Sequence, residues 1–169
     1  MESKEKNTKE KILEEALKLF AQSGYMGTSM NDIASKLGVT KAALYKHYKS
    51  KQEILDSIID KMNELDIERV KLYEMPEGDL EKVTAEYKET AFDKIKQFTK
   101  VQFLHWTEEE FSSCFRKMLT LEQYREPQMA QLYQNYLASG PLAYMEALFS
   151  GMLGLSLIHI SEPTRLALI

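Results

Sequence analysis

Apolar residues recur at the three- and four-residue spacing of an α-helix along most of the chain, and strand-like alternation is almost absent. Asn7 and Glu10 have capping-box spacing just before the first apolar stripe. That stripe comprises Ile12, Ala16, Leu19 and Phe20. The helix should end at Gly24, because glycine readily adopts the left-handed conformation found at helix C-termini.

Two short helices follow, separated by a tight turn. The first should begin at Ser29, with Asp32 three residues later, and should end at Gly38. Thr40 is placed to cap the second, which we expect to run through Tyr48. Two short helices joined by a glycine-containing turn and packed on a preceding helix form a helix-turn-helix, whose second helix enters the major groove of DNA.

The remainder of the chain is also predicted to be helical. A capping-box pair opens a long fourth helix at Ser50, and the clearest break after it is the segment 75–79. Further breaks fall at Glu126–Pro127 and at 139–141. We therefore expect three or four more helices, the last ending near Leu153, and an all-α fold.

Charge is distributed unevenly along the chain. The net charge is −4, yet residues 1–51 carry ten lysines and six acidic residues, whereas the remainder carries 12 basic and 20 acidic residues. Between Thr28 and Lys51 there are five lysines and Asp32 is the only acidic residue. A basic segment ahead of an acidic body indicates that the N-terminal part meets a polyanion; the alternative is a lysine-rich face that is merely solvated.

The third predicted helix has a face suited to nucleic acid. Leu44 and Tyr48 are assigned to the core, and the opposite face carries Lys41, Ala42, Tyr45 and Lys46. Lysines can neutralise phosphates, a small residue permits close approach to base edges, and tyrosine offers a flat ring and a hydroxyl. At the start of the fourth helix, Ser50 and Lys51 add backbone N–H groups and a cation for a further phosphate.

The runs 24–34 (GYMGTSMNDIA) and 38–51 (GVTKAALYKHYKSK) closely resemble the signature of the TetR family of transcriptional regulators. One departure is Tyr48, where the family commonly has phenylalanine, so that its hydroxyl must reach solvent or a partner. By this resemblance the DNA-contact positions are Thr28, Thr40, Lys41, Ala42, Tyr45, Lys46, His47 and Lys51.

The resemblance implies a bacterial repressor that acts in the cytoplasm as a homodimer. A small-molecule inducer would release it from a double-stranded DNA operator. Residues 1–51 would form the helix-turn-helix domain, and residues 52–154 a helical domain for effector binding and dimerisation. The candidate pocket residues are Phe103, His105, Trp106, Phe115, Tyr124, Tyr133 and Tyr136. Aromatic rings with a few polar tips suit an apolar ligand pocket, although residues of this kind more often belong to ordinary helical core.

Other chemistry finds little support in the sequence. The single cysteine, Cys114, excludes an internal disulfide framework and is expected to be a buried small hydrophobe. The histidines lack partners at metal-ligand spacing, and we expect neither a metal nor another cofactor. Walker-type loops, dinucleotide-binding glycine patterns and nucleophile elbows are absent, so an enzyme is not expected. No apolar run approaches the roughly 18 residues needed to span a bilayer.

The segment 155–169 (LSLIHISEPTRLALI) differs from the rest, because apolar and polar residues alternate and Pro163 would break a helix. It resembles the in-frame translation of a sequencing adapter, and we expect the natural sequence to stop near Gly154. The two helices through which TetR-like proteins pair would then be missing or largely missing. This chain should accordingly dimerise poorly and bind an operator weakly.

Two functions of different classes therefore stand after the sequence alone. The first is a DNA-binding repressor relieved by a small effector. The second is a helical protein-interaction module without DNA binding, whose lysine face is merely solvated. DNA binding that falls steeply with added salt would distinguish the first from the second.

Overall fold

The computed structural model describes residues 2–76, 78–90 and 92–154, and all regular secondary structure in these ranges is α-helical. The helices are α1 (Glu2–Ser23), α2 (Met30–Lys36), α3 (Lys41–Tyr45), α4 (Lys51–Leu72), α5 (Leu80–Glu89), α6 (Phe92–Thr107), α7 (Glu110–Glu122), α8 (Pro127–Leu137) and α9 (Ser139–Gly154). The all-α prediction is confirmed. The segment 155–169, interpreted above as a foreign tail, lies outside the described residues.

The caps predicted around the helix-turn-helix are present. The hydroxyl of Ser29 accepts a hydrogen bond from the Asp32 N–H at 3.2 Å, and the Asp32 carboxylate accepts from the Ser29 N–H at 2.8 Å. Thr40 accepts from the Ala43 N–H and so begins α3. Gly38 has φ +67, which supplies the left-handed turn between α2 and α3.

Two boundaries in this region differ from the prediction. Helix α1 begins at Glu2, so Asn7 lies inside the helix and does not cap it. The residues around it are mostly Glu and Lys, which are strong helix formers and extend the helix past a weak cap signal. Helix α3 ends at Tyr45, because the Lys46 and His47 N–H groups bond carbonyls only three residues back and tighten the chain into a turn.

The C-terminal half contains five helices in the described residues, one more than the predicted maximum. Helix α5 ends at Glu89 and α6 begins at Phe92, and neither Gly nor Pro marks this boundary in the sequence. The break predicted at 139–141 falls one residue earlier, since α8 ends at Leu137 and α9 already begins at Ser139. Pro127 occupies the first position of α8, where its missing N–H costs nothing.

One apolar cluster joins the N-terminal helices to α7 and α8. Its fully buried members are Ala16, Phe20, Ile33, Leu44, Ile54, Leu55, Ile58, Met62, Phe115, Met118 and Leu119. Tyr48 is also buried in it, and its hydroxyl bonds the side chain of Ser57, which provides the partner that the sequence required. Because α7 packs along α1, the helix-turn-helix is seated directly on the body. In the described ranges, no helix has the length and apolarity to cross a bilayer.

Candidate nucleic-acid interface

Helix α3 presents a polar face to solvent while it is anchored by one residue. Leu44 is completely buried, whereas Lys41, Ala42 and Lys46 are exposed and Tyr45 is 41% exposed. The Lys41 Nζ lies 5.8 Å from the centroid of the Tyr45 ring, one helical turn along. The face inferred from spacing is therefore brought together as a continuous exposed surface.

The lysines of this surface are not engaged with carboxylates of the described residues. Within the described part of the chain, Lys41, Lys46 and Lys49 form no ion pair. Thr40 is exposed next to them; its hydroxyl oxygen caps α3, and its O–H can still donate outward. An exposed cluster of unpaired cations beside a hydroxyl and an aromatic ring is suited to bind a phosphate backbone.

Two of the residues expected to contact DNA are instead engaged inside the protein. Thr28 is 3% exposed, and its hydroxyl donates to the Gly24 carbonyl oxygen at 2.8 Å. Lys51 is half-buried; its ammonium donates to the carbonyl oxygens of Tyr25 (2.6 Å) and Thr28 (2.9 Å). Both side chains therefore stabilise the α1–α2 turn, which spacing alone could not reveal because the contacts of Lys51 cross more than 20 residues of sequence.

His47 lies at the edge of the proposed interface. It is half-buried and lines a small apolar groove of about 180 Å³ together with Leu37, Val39 and Lys11. Its Nδ1 is buried and finds no hydrogen-bond partner among the residues that the structure describes. Its ring therefore packs at the back of α3 and is only partly available to a ligand.

The body brings part of the predicted aromatic set together. The Phe115 and Tyr136 rings lie 5.2 Å apart between centroids, and Trp106 lies 6.5 and 6.4 Å from them respectively. Phe115 is wholly buried, whereas the Tyr136 hydroxyl donates to Oδ1 of Asn63 on α4. These three rings form one cluster between α6, α7 and α8.

Of the other predicted pocket residues, His105 packs edge-on against Trp106, with 5.5 Å between the ring centroids, and none of them opens the cluster into a site. Phe103 and Tyr124 are 66% and 91% exposed, so neither lines an enclosed cavity, and Tyr133 packs against the core. His105 is completely buried, with its Nδ1 2.6 Å from Oε2 of Glu109 and its Nε2 2.8 Å from Oγ of Ser112. Its polar atoms are thus satisfied within the protein.

An open cleft of about 370 Å³ lies beside the aromatic cluster. Besides Trp106 and Tyr136 it is lined by Asp66, Gln102, Asn135, Gly140, Pro141 and Tyr144. Sequence reasoning missed this polar lining. Asp66 could have been identified in the sequence as a charged residue next to the apolar stripe of α4. No comparable sequence feature marks Tyr144 as a lining residue.

Cys114 is half-buried on α7, less enclosed than expected. Burial raises the pKa of its thiol above the ordinary value. The neutral thiol is therefore favoured at physiological pH, as befits a small apolar residue rather than a reactive thiolate. In the described segments, no group of three or more His, Cys, Asp or Glu side chains is arranged to hold a metal ion.

Residues 12–58 match the family described as bacterial regulatory proteins, tetR family. The match extends from the middle of α1 through the first third of α4 and includes the whole helix-turn-helix. It agrees with the resemblance recognised from the motif residues.

Curated relatives match over the same segment. The chain is 46% identical over 46 residues to the biofilm operon icaADBC HTH-type negative transcriptional regulator IcaR of Staphylococcus epidermidis, which is 27% of this chain and 25% of that protein. It is 41% identical over 51 residues to IcaR of Staphylococcus aureus, 30% of this chain and 27% of the relative. The alignments thus span about a quarter of the length of these relatives.

The whole fold resembles that of a solved structure described as a TetR-family transcriptional regulator from Mesorhizobium loti. The TM-score is 0.52 with 22% identity, over 94% of this chain and 74% of the other. This likeness supports the all-α architecture of the body as well as of the helix-turn-helix. These similar proteins are described as transcriptional regulators and not as enzymes.

Proposed function

We propose that this chain, whose N-terminal segment belongs to the TetR family of bacterial regulatory proteins, is a sequence-specific DNA-binding transcriptional regulator. The observation that carries this proposal is the exposed face of α3, on which Tyr45 and Ala42 lie beside Lys41 and Lys46, two lysines that form no ion pair with the residues described. The helix is short, and only its opposite side is buried, so the face can enter a major groove.

The roles of the individual residues follow from their placement. Lys41, Lys46 and Thr40 would bind phosphates, and Tyr45 and Ala42 would lie against base edges. Thr28 and Lys51 would act indirectly, because their side chains hold the α1–α2 turn. His47 would support α3 from behind.

The regulator would be a repressor, since the relatives that match its helix-turn-helix are named as negative regulators. The cleft beside Trp106 and Tyr136 would hold a small-molecule inducer, because aromatic rings line part of it and a few polar groups can orient a ligand. The proposal also includes the domain division at residue 51, a homodimer as the operator-binding form and a cytoplasmic location.

DNA binding can be tested with a randomised duplex library, from which the full chain itself selects the sequences that it binds. The selected duplexes would then be measured in gel shifts at several salt concentrations. A regulator binds a recurring sequence, and its affinity falls steeply as salt rises, because bound phosphates release counterions. An interaction module with a solvated lysine face would recover no recurring sequence, and that result would overturn the proposal.

Matched variants separate loss of contact from loss of fold. Lys41→Ala and Tyr45→Ala should weaken binding to the selected duplex strongly, whereas the controls Lys100→Ala and Tyr124→Ala change exposed residues of the body and should leave it intact. Circular dichroism melting curves should be the same for all four variants. Loss of binding confined to variants that unfold would favour the interaction module.

A further inference from the structure

Glu122, the last residue of α7, has a buried carboxylate in an unusual setting. Its side chain is completely buried, and neither carboxylate oxygen has a hydrogen-bond partner among the described residues. Its nearest cation is Arg125, whose Nη1 lies 3.5 Å from Oε1 and whose side chain is mostly exposed. Buried carboxylates are usually held by hydrogen bonds, so the position of Glu122 needs another explanation.

The carboxylate lies against the turn that joins α1 to α2. A methyl group at Gly24 would come within 2.0 Å of Oε1, so the oxygen occupies the space that a side chain at this position would fill. Gly24 also has φ +80, which an L-residue rarely adopts. Helix α7 of the body therefore reaches the helix-turn-helix through an ionisable group that touches its backbone.

Lys51, at the start of α4, binds the same turn. Its ammonium bonds the carbonyl oxygens of Tyr25 and Thr28 and lies 4.2 Å from the centroid of the Tyr25 ring. Burial lowers the pKa of this ammonium, and the charge of Glu122 acts in the opposite direction. The carboxylate and the ammonium thus both contact the turn 24–28, the first at Gly24 and the second at Tyr25 and Thr28.

This turn directly precedes the segment that contains α2 and α3. Thr28 directly precedes Ser29, the N-cap of α2, and Lys51 opens α4 shortly after α3 ends at Tyr45. The segment between Ser29 and Ser50, which contains α2 and α3, is therefore held at both ends by groups that meet at the turn.

We propose that Glu122 is a positioning residue for DNA binding: its buried charge, acting on the turn 24–28 and on Lys51, holds the α2–α3 pair in its orientation on the body. The inference rests on the proposed function for its DNA readout. It assigns to α7 an electrostatic contact with the helix-turn-helix besides the apolar packing along α1.

The test compares Glu122→Gln with Glu110→Gln in the full chain. Glutamine keeps the shape of the side chain and removes its charge. Glu110 is a matched control, because it also joins α7 to α1, through a 3.3 Å ion pair with Lys18, but is mostly exposed. Amide hydrogen exchange, NMR titration of the Lys51 ammonium and affinity for the selected duplex would be measured for each.

In Glu122→Gln we expect faster exchange confined to 24–28 and α3, a further decrease in the pKa of Lys51, and roughly five- to tenfold weaker DNA binding. Glu110→Gln should change none of these. Unchanged exchange in the helix-turn-helix, or unchanged DNA affinity, would overturn the inference. If the wild-type chain selects no duplex, the proposed function fails, and the exchange and titration data still decide whether Glu122 holds the turn.

A second variant guards against a general loss of stability. Lys51→Met should accelerate exchange in the same segment, and its effect should be smaller in the Glu122→Gln background, because both residues act on one turn. Strictly additive effects, or exchange that increases equally in α5 and α8, would contradict the proposed link between the two charges.

Discussion

The ammonium of Lys51 donates to the carbonyl oxygen of Tyr25 at 2.6 Å and lies 4.2 Å from the centroid of the same residue's ring. The Tyr25 hydroxyl in turn donates to Gln52, so residues 51 and 52 at the start of α4 bind both the backbone and the side chain of Tyr25. Lys51, which the motif assigns to phosphate binding, thus stabilises the α1–α2 turn through these contacts.

Lys51→Met should therefore reduce stability as well as DNA binding. Two carbonyl oxygens lose a charged donor, and we expect a decrease of about 1–3 kcal/mol in the free energy of unfolding. Urea denaturation followed by circular dichroism measures it. Lys49→Met is the control, because its exposed ammonium forms no ion pair in the described ranges. Equal stability of the two variants would show that the hydrogen bonds of Lys51 to the turn do not contribute to the free energy of unfolding.

Gly24 and Gly38 allow steric contact to be separated from backbone strain. Both have positive φ, but a methyl group at Gly38 would meet nothing within 4 Å, whereas at Gly24 it would collide with Glu122. Gly38→Ala should cost about 1–2 kcal/mol from strain alone, and Gly24→Ala roughly 1–3 kcal/mol more because of the added collision. Thermal unfolding would measure both.

The double variant Gly24→Ala/Glu122→Ala supplies the corresponding control. Removing the carboxylate opens space for the methyl group, so the second substitution should recover part of the loss caused by the first. If Gly24→Ala lowered the free energy of unfolding no more than Gly38→Ala did, the close approach of Glu122 to the turn would be contradicted.

Asp32 should make the helix-turn-helix sensitive to acid. Hydrogen bonds from the Ser29 hydroxyl and the Ser29 N–H lower the pKa of this carboxyl. A group whose pKa is lower in the folded state contributes stability that is present above its unfolded pKa, about 3.9, and is lost as pH falls through the folded value. The stability difference between wild type and Asp32→Ala should therefore be full at pH 6 and shrink below about pH 4.

Urea denaturation at several pH values tests this prediction. Asp93→Ala is a suitable control, because Asp93 is exposed in the first turn of α6 and no cap bond is formed by its side chain within the described residues. A difference between wild type and Asp32→Ala that is independent of pH would rule out the capping carboxylate as its source.

Lys46 and Tyr45 should affect DNA binding in different ways. Lys46→Ala removes one cation that faces a phosphate, so it should lower the slope of log affinity against log salt by about 1. Tyr45→Ala should weaken binding with little change in slope, because the ring carries no charge. Gel shifts at salt concentrations from about 50 to about 200 mM distinguish the two variants. Identical slopes for both variants would remove Lys46 from the interface.

His105 and Tyr124, both assigned to a ligand pocket by sequence, should differ in stability. His105→Ala leaves a cavity and unpairs the Ser112 hydroxyl, and we expect a loss of about 2–4 kcal/mol. Tyr124→Ala should change stability by less than about 0.5 kcal/mol, since the side chain is almost fully exposed. Denaturant unfolding checks both, and a mild effect of His105→Ala would reopen its role as a ligand residue.

The ends of the helices around the DNA-reading face could be predicted from sequence, because caps depend on residues three or four apart. Ser29 with Asp32, Thr40 with Ala43 and the left-handed Gly38 are all present as expected. Asn7 shows the limit of such signals: a cap works only where the helix actually begins, and strong helix formers before it moved that point.

The sequence by itself determined that α3 carries an exposed basic and aromatic face, since helical periodicity decides which residues oppose buried Leu44. Only the tertiary structure decided that Thr28 and Lys51 turn inward and that Phe103 and Tyr124 stand apart from the Trp106 cluster. It alone brought Glu122 against Gly24, which lies far earlier in the chain. Local hydrogen bonds form between residues that are close in sequence, so the sequence pattern predicts them. Burial depends on which distant helices pack together, and that packing involves the whole core.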